Sequence, residues 1–130
     1  MIAELCMALT LGVNVGTYHF VDQNKHNNIN PGLYLKCSLT TNLKHGVVMG
    51  VYKNSQYNTS LHAGYNYSLP YNFDITLGVV SGYSYASIVP VVLPSWSYKN
   101  ESGLVTRLSF IPHIPGKVDG GIHLSFERSF

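Results

Sequence analysis

The sequence predicts an all-β chain in which eight antiparallel strands, in up-and-down order, close into a transmembrane β-barrel. Three observations predict it. Residues 57–69, YNTSLHAGYNYSL, alternate without a break: Tyr57, Thr59, Leu61, Ala63, Tyr65, Tyr67 and Leu69 fall on one face, and Asn58, Ser60, His62, Gly64, Asn66 and Ser68 on the other. Period two is the strand signature, and about ten alternating residues with tyrosines at the ends suit a tilted strand crossing a bilayer. Only 11% of the residues are charged and mean hydropathy is +0.07, with no run near the roughly 18 apolar residues of a membrane helix. A barrel hides its hydrophobicity in this way, because every second side chain faces a polar lumen. Finally, eight such segments follow one another at even spacing to the last residue, as in a closed meander.

The elements are expected as follows. The first strand covers about residues 9–20, with Leu11, Val13 and Val15 on one face and Gly12, Asn14 and Gly16 on the other. Residues 21–32 form a long polar loop rich in Asn, Pro and Gly, all turn formers. Strand two (33–39) sets Leu33, Leu35, Cys37 and Leu39 against Tyr34, Lys36 and Ser38, and strand three (46–54) presents Val47, Met49 and Val51. Strand four is the segment 57–69. Residues 70–73 turn into strand five (74–84), with Ile75, Leu77 and Val79 on one side. A loop at 85–89 precedes strand six (90–99), where Val92, Pro94, Trp96 and Tyr98 share a face. Strand seven (104–112) turns Val105, Arg107, Ser109 and Ile111 inward, and strand eight (121–130) sets Ile122, Leu124 and Phe126 against His123, Ser125 and Glu127. Residues 1–8 read as a leader or short N-terminal segment, and 9–130 as one barrel domain.

The inward faces carry Asn14, Lys36, His62, Asn66, Arg107, His123 and Glu127. That set is too polar for a soluble core. Arg107 and Glu127, on neighbouring strands, are expected to neutralise each other inside, because buried charges need partners. With the N-terminus on the periplasmic side, three of the four outward loops (21–32, 85–89 and 113–120) are long or irregular, as is usual in outer-membrane barrels. Phe130 suits an exported barrel; Arg128 suits it less. The stretch MIAELCMALTLG carries Glu4 and no Lys or Arg, so a secretory signal here is atypical or absent. Cys6 and Cys37 specify no disulfide framework, and Cys37 is expected to be a small packing residue.

A formal charge of +2, spread without a basic stripe, gives no footprint for nucleic acid. The six histidines show no metal-ligand spacing, and no phosphate loop or nucleophile elbow is present. No metal or cofactor is expected.

Several segments carry a resemblance: Thr17-Tyr18-His19-Phe20, Asn30-Pro31-Gly32, Gly50-Val51-Tyr52-Lys53-Asn54-Ser55, Ala63-Gly64-Tyr65, Pro90-Val91-Val92-Leu93-Pro94 and Phe110-Ile111-Pro112. In this order they resemble the PagP family of outer-membrane lipid A palmitoyltransferases, which move a phospholipid acyl chain to lipid A inside an eight-stranded barrel. The resemblance implies a catalytic His at His19, a serine at Ser55 and an aspartate at the position of Asn54. His beside a hydroxyl is a general-base arrangement for acyl transfer, but Asn54 cannot supply a carboxylate's charge. It also implies that Pro31, Pro90, Pro94 and Pro112 open the wall to lipid, since proline interrupts a strand ladder. The amphipathic helix that precedes the family's first strand has only residues 1–8 as its counterpart, too few for a stable helix.

The expectation is therefore a monomeric bacterial outer-membrane barrel, in contact with phospholipid and lipopolysaccharide and resembling a lipid A acyltransferase. The alternatives are a non-catalytic envelope barrel of bacterial or phage origin acting through its loops, and a soluble or virion-associated barrel.

Overall fold

The computed structural model describes residues 6–20, 28–42, 44–54, 56–83, 86–112 and 120–130. Eight strands follow in order: β1 (Ala8–His19), β2 (Ile29–Ser38), β3 (His45–Lys53), β4 (Thr59–Ser68), β5 (Phe73–Tyr83), β6 (Ala86–Lys99), β7 (Val105–Ile111) and β8 (Gly121–Ser129). Each pairs with its sequence neighbours, and β1 closes on β8. Strands of about ten residues, tilted by about 40°, make a wall about 25 Å tall.

Inside and outside are inverted relative to a soluble protein. The large apolar side chains buried among the described residues are Tyr34, Val80 and Val89, whereas Asn14, His19, Asn54, Ser60, Asn66, Asp74, Ser125 and Glu127 are all buried. Leu11, Val13, Leu33, Leu35, Val47, Met49, Leu61, Leu77, Val92 and Leu108 stand exposed on the outer wall. Aromatic side chains ring both ends of this apolar band. Tyr18, Phe20 and Phe110 are exposed at the end where β1 runs out, with the Phe20 and Phe110 rings 6.0 Å apart. Tyr65, Tyr67, Phe73, Trp96, Tyr98 and Phe130 are exposed at the opposite, turn end.

Several boundaries differ from the periodicity reading. β4 starts at Thr59, because Tyr57 has φ 64° and belongs to the turn before it. β2 starts at Ile29, so Pro31 lies inside the strand rather than at its entrance. It is accommodated by a register shift: Asn14 faces Gly32 but Gly16 faces Ile29, and a bulge is where a strand tolerates proline. The segment expected as a loop at 85–89 is strand from Ala86 onward, since β6 continues to pair with β5 up to Tyr83↔Ala86. Cys37 is not a free packing residue. It is disulfide-bonded to Cys6, with Cα atoms 5.1 Å apart, because the β1–β2 hairpin returns the chain beside the short segment that precedes β1.

One irregularity decides what lines the upper lumen. By simple alternation Thr17 and His19 would follow Val13 and Val15 outward. Against β8, Asn14 pairs with Ser125 and Gly16 with Leu124, so one residue of β1 is extra. This bulge flips the faces beyond it. Thr17 and His19 turn in, and Tyr18 and Phe20 turn out.

Candidate functional site

Much of the lumen is occupied by polar side chains in bonded groups. Nearest the turn end, Arg107 Nε donates to Glu127 Oε2 at 2.6 Å, its Nη2 donates to Oε1 at 3.2 Å, and its Nη1 donates to Asp74. Tyr34 donates its hydroxyl to Glu127 and lies 3.2 Å from Ser125 Oγ. Asn66 Nδ2 donates to Asp74 and to Thr76, both at 2.9 Å. Two carboxylates around one guanidinium leave a residual negative charge, and Lys36 on the same inner wall offsets it. A cavity of about 360 Å³ opens below this cluster at the turn end, lined by Lys36, Asp74, Arg107, Glu127, Thr10 and Ser129 among others.

Glycines make room for the cluster. A Cβ at Gly12 would overlap the Tyr34 ring, and one at Gly50 would lie 2.5 Å from Tyr34 Cβ and 2.6 Å from His62 Nε2. Above Tyr34, the His62 ring stacks edge-on near Tyr52, 5.7 Å between centroids. His123 is held at both nitrogens: Nε2–H donates to Asn14 Oδ1 at 2.9 Å, and Nδ1 accepts from Thr17 Oγ1 at 2.8 Å.

The residues singled out for chemistry sit at the loop end. His19 is buried, and its Nδ1–H donates to Asn28 Oδ1 at 2.6 Å. Asn54 has no exposed surface. Its Nδ2 donates to Ser60 Oγ and to the Gly82 carbonyl, both at 2.9 Å, while Oδ1 accepts the backbone N–H groups of Gln56 (2.8 Å) and Asn58 (3.1 Å). The amide thus closes the β3–β4 turn from one side and ties it to β4 and β5 from the other. His19 and Asn54 share an end of the barrel, with β2 standing between their strands. Ser55 lies outside the described residues.

The prolines divide. Pro31 occupies the bulge of β2, and Pro112 follows the last residue of β7. Pro90 and Pro94 lie within β6, opposite Val79 and Ile75. Lacking an N–H, each fits only a non-hydrogen-bonded site on the β5 ladder, which turns its nitrogen toward β7. The β6–β7 ladder runs from Lys99↔Val105 to Ser95↔Ser109 and stops where Pro94 would have to donate to β7. Residues 86–94 of β6 therefore pair with β5 alone.

Two members of the lumen cluster, Tyr34 and Asp74, were not among the residues that charge and polarity brought forward. Both share inward parity with residues that were: Tyr34 with Lys36, and Asp74 with the face opposite Ile75 and Leu77. That parity was the available signal. Among the described residues no group of His, Cys, Asp and Glu could hold a metal ion.

No family profile matches the chain. No curated protein sequence matches it either. Among solved structures it is similar to the Yersinia pestis outer membrane protein Ail, determined in a phospholipid bilayer nanodisc, with a TM-score of 0.56 and 11% identity over 95% of this chain and 99% of that one. At that identity the likeness shows a shared fold, the closed eight-stranded antiparallel barrel.

Proposed function

We propose that this chain is an integral barrel of a bacterial outer membrane with a closed polar lumen, acting through the rim of loops at the end of β1 rather than by passing or holding an acyl chain. The observation that carries this reading is the inverted surface: an exposed apolar band between two aromatic girdles, around an interior of bonded Asn, Ser, Asp, Arg and Glu side chains. An apolar band of this height with aromatic edges suits a hydrocarbon slab. A lumen crossed by Arg107, Glu127, Asp74 and Tyr34 offers an acyl chain few apolar partners and would strand its own charges if opened. The similarity to an outer-membrane protein of the same fold supports the location. In cells the protein should fractionate with outer membranes and migrate differently on gels with and without heating. Clean extraction without detergent would exclude the reading.

A second reading, acyl transfer to lipid A, draws on two observations. The bulge in β1 turns His19 inward, and with Nδ1–H donated to Asn28 a neutral ring carries its lone pair on Nε2, the atom a general base uses. The stretch of β6 at Pro90 and Pro94, unpaired toward β7, would admit lipid from the side, with His19 and Asn54 at the same end of the barrel. Incubating detergent-solubilised protein with phospholipid and lipid A separates the two. Transfer abolished by His19→Ala would establish the enzyme. No transfer by intact protein in several detergents leaves the surface-display reading.

A further inference from the structure

We infer that the Cys6–Cys37 disulfide is a covalent register lock for β1, formed by exchange with a disulfide-bearing oxidant in the periplasm before the barrel closes; the compartment rests on the outer-membrane reading above. β1 is one of the two strands whose pairing seals the barrel, and both of its ladders shift register at the Asn14–Gly16 bulge. Alternation protects it against a slip of one residue, which would turn its apolar face inward. It gives no protection against a slip of two. Leu9, Leu11 and Val13 face Cys37, Leu35 and Leu33, so a two-residue shift still sets apolar against apolar on the outer wall.

Such a shift is ruinous inside. In the native register Gly12 lies opposite Tyr34, and a Cβ at residue 12 would overlap that ring. The slip would bring Thr10 or Asn14 to the same place. The bridge excludes the slip that brings Asn14 there: it sets Leu11 instead of Leu9 opposite Cys37, moves β1 by two strand residues, about 7 Å, and carries Cys6, in the short segment before the strand, out of the Cα–Cα range of about 4.4–6.8 Å that a disulfide spans. The native separation is 5.1 Å.

The order of events follows from where Cys37 points. It shares the outward face of β2 with Leu33 and Leu35. Exchange needs a thiolate, and a thiol against a lipid boundary forms one poorly, so the chemistry belongs to the chain before insertion. One cysteine thiolate attacks the oxidant's disulfide, giving a mixed disulfide and releasing the first oxidant thiol. The other cysteine thiolate then attacks the mixed disulfide at its own partner's sulfur, releasing the second. Two electrons and two protons pass from the cysteine pair to the oxidant, which leaves as a dithiol.

The test uses the whole chain, refolded from urea into detergent micelles with the bridge intact, with both thiols reduced, and as the Cys6→Ser/Cys37→Ser variant. Folding is read as the heat-shifted gel band and thiol state by maleimide–polyethylene glycol labelling. The bridged chain should reach the folded band several-fold faster than the reduced chain, with the serine variant matching the reduced one. Added oxidised glutathione should close the bridge readily in the unfolded chain and poorly in chains already folded. Equal folding rates in all three, or equally ready closure after folding, would overturn the proposal. So would protein from cells whose two thiols label without prior reduction. Labelling is scored on the denatured chain, independently of the membrane fractionation that tests the barrel's location.

Discussion

Asn54→Asp restores the carboxylate that the acyltransferase resemblance asks for, and the geometry at this residue says that the exchange should damage the barrel. The side chain has no exposed surface. As an amide it accepts from Gln56 N–H and Asn58 N–H and donates to Ser60 Oγ and the Gly82 carbonyl at 2.9 Å each. An aspartate keeps the first pair and loses the second. The Ser60 hydroxyl can rotate and donate to the carboxylate, so little is lost there. The Gly82 carbonyl loses its donor and meets an oxygen at hydrogen-bond distance. An unsatisfied buried acceptor costs about 1–3 kcal/mol, and the facing oxygens add roughly one more, giving an expected loss of about 2–4 kcal/mol. The loss should shrink as pH falls, because the protonated acid can donate to Gly82. The folded variant then binds a proton the unfolded chain lacks, and stability rises toward acid through the carboxyl's range. Urea titration of detergent-folded protein, read by the fluorescence of Trp96 across several pH values, measures both effects. Asn58→Asp, on the exposed side of the same turn, is the control and should move the midpoint little. An Asn54→Asp variant as stable as the parent, or one that gains acyl transfer, would refute the assignment of Asn54 as a turn clamp.

Other perturbations probe the remaining parts of the account. Arg107→Met strands Glu127 and Asp74 without their partner, and should cost about 3–5 kcal/mol by denaturant titration; replacing all three residues by apolar ones should recover much of that loss. Gly12→Ala should fold poorly because its methyl would enter the Tyr34 ring, and pairing it with Tyr34→Ser should restore part of the heat-shifted fraction. Met49→Arg, in the middle of the exposed apolar band, should lower stability in lipid by about 2–4 kcal/mol, whereas Tyr71→Arg beyond the turn end should change it by about 0–1 kcal/mol.

Much of the barrel was legible because period two is a geometric property of the strand. Val47, Met49 and Val51 could be set outside, and His62 and Asn66 inside, with no knowledge of their neighbours. What alternation could not reveal were the places where it breaks. The bulge in β1 has no marker beyond glycines at 12 and 16, yet it decides that His19 faces the lumen. The turn before β4 begins at a tyrosine that continues the apolar pattern, and only its positive φ removes it from the strand. Pro90 looked like a boundary because proline usually ends a ladder, but β6 needs N–H groups only toward β5 over residues 86–94, and its prolines face the other way. The cysteine pairing depends on hairpin register, which two cysteines in a sequence do not specify. At the candidate site the residue types were visible, but their use was not. Asn54 reads as a substituted catalytic carboxylate in the sequence, and in the fold both ends of its amide hold a turn.

In the proposed outer-membrane barrel the apolar outer wall lies in lipid and the lumen is polar. Trp96, the single tryptophan, reports on it directly, since it is exposed on the outer wall in the girdle at the turn end. With the protein reconstituted in bilayers whose acyl chains carry bromine at defined depths, Trp96 emission should be quenched, and most strongly by bromines near the headgroups. Emission untouched by bromine at any depth would place this wall outside the bilayer and contradict the account.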